Sequence, residues 1–276
     1  MFRRSDRVCI FLFLALSFAA GADLDTAHAK LSAAQIVDRN VSARGGLAAW
    51  RAVQTMEMTG KLEAGGNNRP TLAIPSDKSR DAALPPARPA EQVQLPFTME
   101  LKRPRKSRLE LQFNGQTAVQ VYDGTNGWKL RPFLNRHEVE PYTQEEMVAA
   151  SMQADLDGPL VDYASKGTKV ELEGMEKVAD QETYRLKLTL KNGKSQHVWI
   201  DSQTYLEVKI EGIPRRLDGK YHEVATYYRD YRPVDRLMMP YVLETTVDGI
   251  KQTEKIEIET VAVNPKLSDS QFTRLQ

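Results

Sequence analysis

Few residues in this chain have the type and spacing to do acid–base, nucleophilic or metal chemistry. The four histidines, His28, His137, His197 and His222, never pair at i, i+4, so no helix offers two imidazoles to a metal. His197 has Trp199 and Asp201 two and four residues on, and reads as an outward-facing polar residue of a strand. Cys9 is the only cysteine, which excludes a disulfide framework. Asn192-Gly193-Lys194-Ser195 ends like a phosphate loop, but Leu188 stands where its leading glycine belongs, so the stretch reads as a hairpin turn. Asn40-Val41-Ser42 spells a glycosylation site inside a predicted helix. No nucleophile elbow and no dinucleotide fingerprint occurs, and no carboxylate pair can be placed on one face from spacing alone. The expectation is a protein without catalytic residues, metal or cofactor.

The residues that stand out are apolar and aromatic. Leu111, Phe113, Trp128, Trp199, Tyr227, Met239 and Tyr241 lie on predicted strands and are the expected lining of a hydrophobic cleft. Packing of an ordinary core would also use them. A curved sheet accompanied by only about three helical pieces, however, leaves part of its apolar face uncovered. Methionines such as Met56, Met58 and Met99 suit a surface that repacks around different guests. Soluble proteins seldom leave a large apolar patch bare, so such a cleft needs a lid, and residues 31–53 and 142–164 are the available pieces.

The elements that must position these side chains are mostly strands. Tyr184, Leu186, Leu188 and Leu190 alternate with Arg185, Lys187 and Thr189, the period of a strand with one buried face. Asn192-Gly193, Asp218-Gly219 and Asp248-Gly249 mark hairpins along a strand train that runs to Val263, with Asp218-Gly219 opening one long strand through Tyr231. A shorter meander covers Phe97 to Pro132, turning at Asn114-Gly115 and at Asp123–Gly127. Helices are expected at Leu31–Arg44, capped by Ser32 and stopped by Gly45-Gly46, and at Leu47–Val53. Thr143 with Glu146 has capping-box spacing, and Ser268-Asp269 caps a last turn that docks Phe272. Six prolines between residues 69 and 96 argue for a loop or insertion there.

The 276 residues, 41% of them hydrophobic, suffice for one large domain over 30–276. Arg3, Arg4 and Arg7 precede an apolar run from Val8 to Ala20, followed by small-residue sites ending at Ala22 and Ala29. This is the pattern of a secretory signal peptide over 1–29, too short and wrongly flanked for a stable span. Removing the segment through Ala22, with three Arg and one Asp, takes the net charge from +1 to −1. A near-neutral chain with no basic stripe excludes a nucleic-acid partner.

Several motifs, in order, resemble the periplasmic lipoprotein-sorting proteins of the LolA/LolB-like superfamily. They are Arg44-Gly45-Gly46-Leu47-Ala48-Ala49-Trp50, Tyr122–Trp128, Val198–Tyr205, Asp230–Asp235, Met239-Pro240, and Val263-Asn264-Pro265 with Phe272. The resemblance covers nearly the whole chain after the leader. It implies an α+β, mainly antiparallel fold, an incomplete (half-open) β-barrel with helices covering its concave face. Arg236 departs from the glycine expected after Val234-Asp235, and the proline-rich stretch has no counterpart.

The implied function is a periplasmic carrier or chaperone for acyl chains, without catalysis. Its partners would be a lipid or lipidated protein and an inner- or outer-membrane partner protein. The alternative is a non-transporting envelope sensor or assembly module that binds a protein through a sheet edge or the 69–96 loop. Fold alone does not choose between them.

Overall fold

The computed structural model describes residues 31–65, 92–217 and 219–275. The expected signal peptide and most of the 69–96 insertion lie outside them. Chain order is α1 (Ala33–Ala43), α2 (Leu47–Ala52), β1 (Thr55–Gly65), β2 (Gln92–Lys102), β3 (Lys106–Phe113), β4 (Gln116–Tyr122), β5 (Gly127–Arg131) and β6 (Arg136–Pro141). Then come α3 (Gln144–Gln153), β7 (Lys169–Val178), β8 (Gln181–Thr189), β9 (Ser195–Asp201) and β10 (Glu207–Glu211). The last elements are β11 (Arg215–Leu217), β12 (Lys220–His222), β13 (Val224–Val234), β14 (Leu237–Val247), β15 (Glu254–Val263) and a 3-10 turn, Asp269–Phe272.

All but β11 and β12 join one antiparallel sheet, ordered β6-β5-β4-β3-β2-β1-β15-β14-β13-β10-β9-β8-β7. The chain builds one half outward from β1 to β6, returns along α3, and builds the other half inward from β7. Strand β15 then closes beside β1, so the first and last strands meet in the middle. Because β6 and β7 lie at opposite ends of this order, the curved sheet is not closed into a barrel.

The helix ends follow from their caps. Ser32 accepts from the Gln35 amide while the Gln35 side chain accepts from the Ser32 amide, and Thr143 and Glu146 do the same for α3. Gly45 ends α1 at φ 114°, and a Cβ there would sit 2.1 Å from the Arg236 carbonyl, so only glycine fits. That close approach seats the α1–α2 corner on the β13–β14 turn, where the Met238 amide donates to the Arg44 carbonyl at 3.1 Å.

Three expectations about strands are corrected. Pro96 lies inside β2, opposite Lys61 of β1. Pairing of β2 with β3 starts only at Phe97, so Pro96 occupies a stretch with no neighbour on that side, where a missing N–H is tolerated. Asp218-Gly219 does not open one long strand: β11 and β12 form a separate two-stranded hairpin before β13. Strand β15 begins at Glu254 and not directly after Asp248-Gly249.

Candidate functional site

Side chains of directly paired residues point to the same side of a sheet, so the register assigns every strand residue to a face. On the central strands one face is apolar. Crossing it in rows, Leu101, Met56 and Val263 are partners, then Leu109, Met99, Met58 and Val261, then Leu111, Phe97, Gly60 and Ile258. The next row is Leu95, Leu62, Ile256, Leu243 and Tyr228. On the opposite face the same strands carry Glu57, Thr98, Glu100, Arg108 and Glu110.

The helices pack at one end of the apolar face. Trp50 from α2 and Val53 just after it meet Met56, Leu101, Leu237 and Met239, joined by Leu156 and Val161 from the irregular segment after α3. Trp50 and Val161 are fully buried there. Over β4, α3 contributes Ala150 and Ala154 against Tyr122. Elsewhere on this face burial is uneven: Leu95, Phe97 and Ile258 are buried, whereas Leu62, Leu109, Leu111, Phe113, Leu243 and Ile256 are only half-buried. A strip of hydrocarbon surface therefore continues past the helix-packed end.

Polar groups fix the boundary between packed and half-buried parts. The Arg44 guanidinium donates to Glu207 Oε1 at 3.1 Å and to the Asp157 carbonyl at 2.9 Å, and lies 4.3 Å from the Trp50 ring centre. Tyr231 donates to the Glu207 carbonyl at 3.0 Å. Tyr228, from the last apolar row, has its hydroxyl pKa pushed up to about 12 by burial and then by the Glu207 charge. Arg103 ties the lid segments to each other, donating to the Val53 and Trp50 carbonyls and pairing with the Asp157 carboxylate. Arg51 of α2 holds Asp162 through two hydrogen bonds, and this contact keeps the Asp162 carboxyl below its usual range. The lid is thus attached by charge and hydrogen bonds at its rim and by apolar packing at its centre.

The seven residues expected to line a cleft divide between the two faces. Leu111 and Phe113 lie on the half-buried part of the apolar face. Met239 belongs to the packed cluster with Trp50, and Tyr241 packs at that cluster's margin. Trp128, Trp199 and Tyr227 are on the other face, and the register gives the reason. Trp128 pairs with Val121, Trp199 with Arg185 and Lys209, and Tyr227 with Glu244, each one residue out of phase with the apolar rows. Trp199 and Tyr227 instead form a small cluster with Val178 and Val208, with the Lys209 ammonium 4.0 Å from the Trp199 ring centre. Leu62, Leu243, Ile256 and Tyr228 were not among the expected seven, although period-two alternation marks each of them.

Among the described residues no group of three His, Cys, Asp or Glu side chains could hold a metal ion. A shallow depression of ≈ 610 Å³ lies along Gln54, Thr55 and 264–268, and another of ≈ 350 Å³ along Thr98, Glu100, Arg108, Glu110, Ser270 and Gln271. The second is on the charged face.

Solved structures share this architecture. A LolA superfamily protein of Nitrosomonas europaea superimposes with a TM-score of 0.53 at 13% identity, covering 88% of this chain and 98% of that one. The fold is LolA-like. The same arrangement occurs in a DUF1329 family protein of Desulfovibrio piger, with a TM-score of 0.54, 14% identity, and 87% and 97% of the two chains covered. It also occurs in a putative outer membrane lipoprotein-sorting protein domain of Vibrio parahaemolyticus, at 0.51 and 12%, covering 86% and 94%. No protein-family model matches the sequence, and no curated protein matches it either. Identities this low establish the shared LolA-like fold and leave function to the chain's own residues.

Proposed function

We propose that this chain is a periplasmic carrier that holds acyl chains of lipids or lipoproteins against the half-buried part of its apolar face, without catalysis. The observation that carries this reading is the patch of half-buried apolar residues on that face outside the helix-packed cluster. Met56 is 1% exposed at the helix-packed end, whereas Leu62, Leu111 and Ile256 in the following rows are only half-buried. Burying about ten methylenes there would contribute ~8 kcal/mol, or about micromolar affinity before ordering costs. That strength suits a shuttle that must also release its cargo.

The LolA-like neighbours support the reading through fold, and the leader-like N-terminus supports export. A module that recruits a protein by strand addition would use the outermost strands. Strand β7 carries Glu171, Glu173 and Glu176, and its register shifts between Leu172 and Gly174, features that discourage strand addition. Strand β6, at the other edge, is only six residues long, carries Arg136, Glu138 and Glu140 and ends on Pro141, so neither edge invites strand addition, which favours the carrier reading.

The test is native mass spectrometry of protein exported to the periplasm, followed by titration with a fluorescent fatty acid. Co-purifying lipid and micromolar uptake, lowered by Leu111→Gln, are the expected results. Ligand-free protein that takes up no probe would overturn the proposal. Fractionation and the mass of the mature N-terminus check the compartment.

A further inference from the structure

Among the described residues the β11–β12 hairpin is the one pair of strands outside the large sheet, and it stands at the end of the apolar face farthest from the helices. Glu254 pairs with Thr245, Thr245 with Thr226, and Thr226 with Ile210, so Glu254 points to the apolar side, one row beyond Ile256, Leu243 and Tyr228. The Arg215 guanidinium reaches it with two hydrogen bonds, Nη1 to Oε1 at 2.8 Å and Nη2 to Oε2 at 2.9 Å. Arg215 follows β10 after only Gly212, Ile213 and Pro214, yet Glu254 is on β15, with β13 and β14 lying between. Three strand spacings amount to roughly 14 Å. The hairpin must therefore lean across the ends of β13 and β14 on the apolar side.

Its two sides differ in burial. Arg215, Leu217, Lys220 and His222 share one side by register, Lys220 at the exposed tip, and His222 Nδ1 lies 2.8 Å from the Asp248 carbonyl. Leu217 on this side is half-buried. Arg216 and Tyr221 share the other side, and Tyr221 is 68% exposed. At the root, the Gly212 amide donates to Val224 at 2.7 Å and the Asp248 amide to Glu223 at 2.8 Å. A Cβ on Gly212 would lie 2.9 Å from the Val224 side chain, so the root is tight on one strand. Backbone hydrogen bonds thus hold the root, while a bidentate ion pair, with Arg215 43% and Glu254 26% exposed, ties β11 to β15.

We propose that this hairpin is a hinged flap over the far end of the apolar face, latched by Arg215 on Glu254 and released when an acyl chain passes. The proposal rests on the carrier reading. A partly solvated bidentate pair has the right strength for a latch, because it closes the flap without making opening rare.

Stopped-flow uptake and release of a fluorescent fatty acid test it, together with amide hydrogen exchange. Glu254→Gln and Arg215→Gln are expected to raise both rates by roughly two- to tenfold with little change in Kd. The reversed pair, Arg215→Glu with Glu254→Arg, should restore them. Arg215→Cys with Glu254→Cys, in protein lacking the leader and its Cys9 and joined by a short bis-maleimide, should slow both rates at least tenfold. Unchanged rates in the linked and unlatched proteins would overturn the flap and leave the carrier standing. Wild-type protein that takes up no probe would overturn the carrier reading instead. Hydrogen exchange at residues 215–217 and 220–222 then decides the latch alone: faster exchange in Glu254→Gln supports it, and unchanged exchange refutes it.

Discussion

Arg44 Nη1 donates to Glu207 Oε1 at 3.1 Å, and the two side chains are only 9% and 4% exposed. One belongs to the residue that caps α1 and the other to β10, so the pair joins the lid to the far half of the sheet. Removing either partner leaves a charge stranded in a dry site. Arg44→Met and Glu207→Gln should each lower stability by about 3–5 kcal/mol. The double substitution should cost clearly less than the two together, because no lone charge remains. Urea unfolding of the four proteins measures the coupling. Additive losses would show that the pair does not act as a unit.

The two faces of the sheet make opposite predictions for two apolar residues. Leu111 belongs to the half-buried rows, whereas Trp128 pairs with Val121 on the reverse side. Leu111→Gln should weaken fatty-acid uptake by about 5- to 30-fold, the worth of one apolar side chain, ~1–2 kcal/mol. Trp128→Gln should leave uptake unchanged in protein that retains its far-ultraviolet circular dichroism. Equal losses in both would mean that the ligand does not lie on the apolar face.

The strands and caps were legible because each rests on local pattern. Ser32 with Gln35 and Thr143 with Glu146 build capping boxes whose positions were readable from residue type. The face each aromatic residue takes was legible only in part, and Trp199 shows why. Val198 and Ile200 alternate with it, and the phase alone places those two on the buried side. The size and hydrophobicity of Trp199 pointed the other way. Its indole instead lies among Lys209, Arg185 and Tyr227, and its N–H donates to Glu176 at 2.9 Å. The Arg44–Glu207 and Arg215–Glu254 pairs span 163 and 39 residues, and no short-range pattern announces them.

Gly60 is required by a close approach and not by a turn. The register between β1 and β15 shifts between Thr59 and Gly60, and a Cβ on Gly60 would fall 2.0 Å from the Glu257 carbonyl. That carbonyl and the Ile258 Cα, 2.9 Å away, are both backbone, so neither can swing aside. Gly60→Ala should lower stability by about 1–3 kcal/mol, the usual cost of overpacking. Chemical denaturation would show it, with hydrogen exchange along residues 256–258 rising first. Wild-type stability would mean that β15 can shift without loss.

Glu100 gives a pH-dependent prediction. Its carboxyl is raised above the ordinary 4.5 by burial, opposed by the charge of Arg108 and reinforced by Glu57 and Glu110, while Gln271 donates to it. A carboxyl that binds its proton more tightly when folded costs stability once both states are ionised. That cost is fully present above the raised value, shrinks as pH falls through it, and is gone below the unfolded value. Glu100→Gln should therefore raise stability at pH 7. At pH 4 the gain over wild type should nearly vanish, since both proteins then carry a neutral side chain. Urea unfolding at the two pH values checks it. A loss of stability at pH 7 would show that the attraction of Arg108 outweighs the cost of burying the charge.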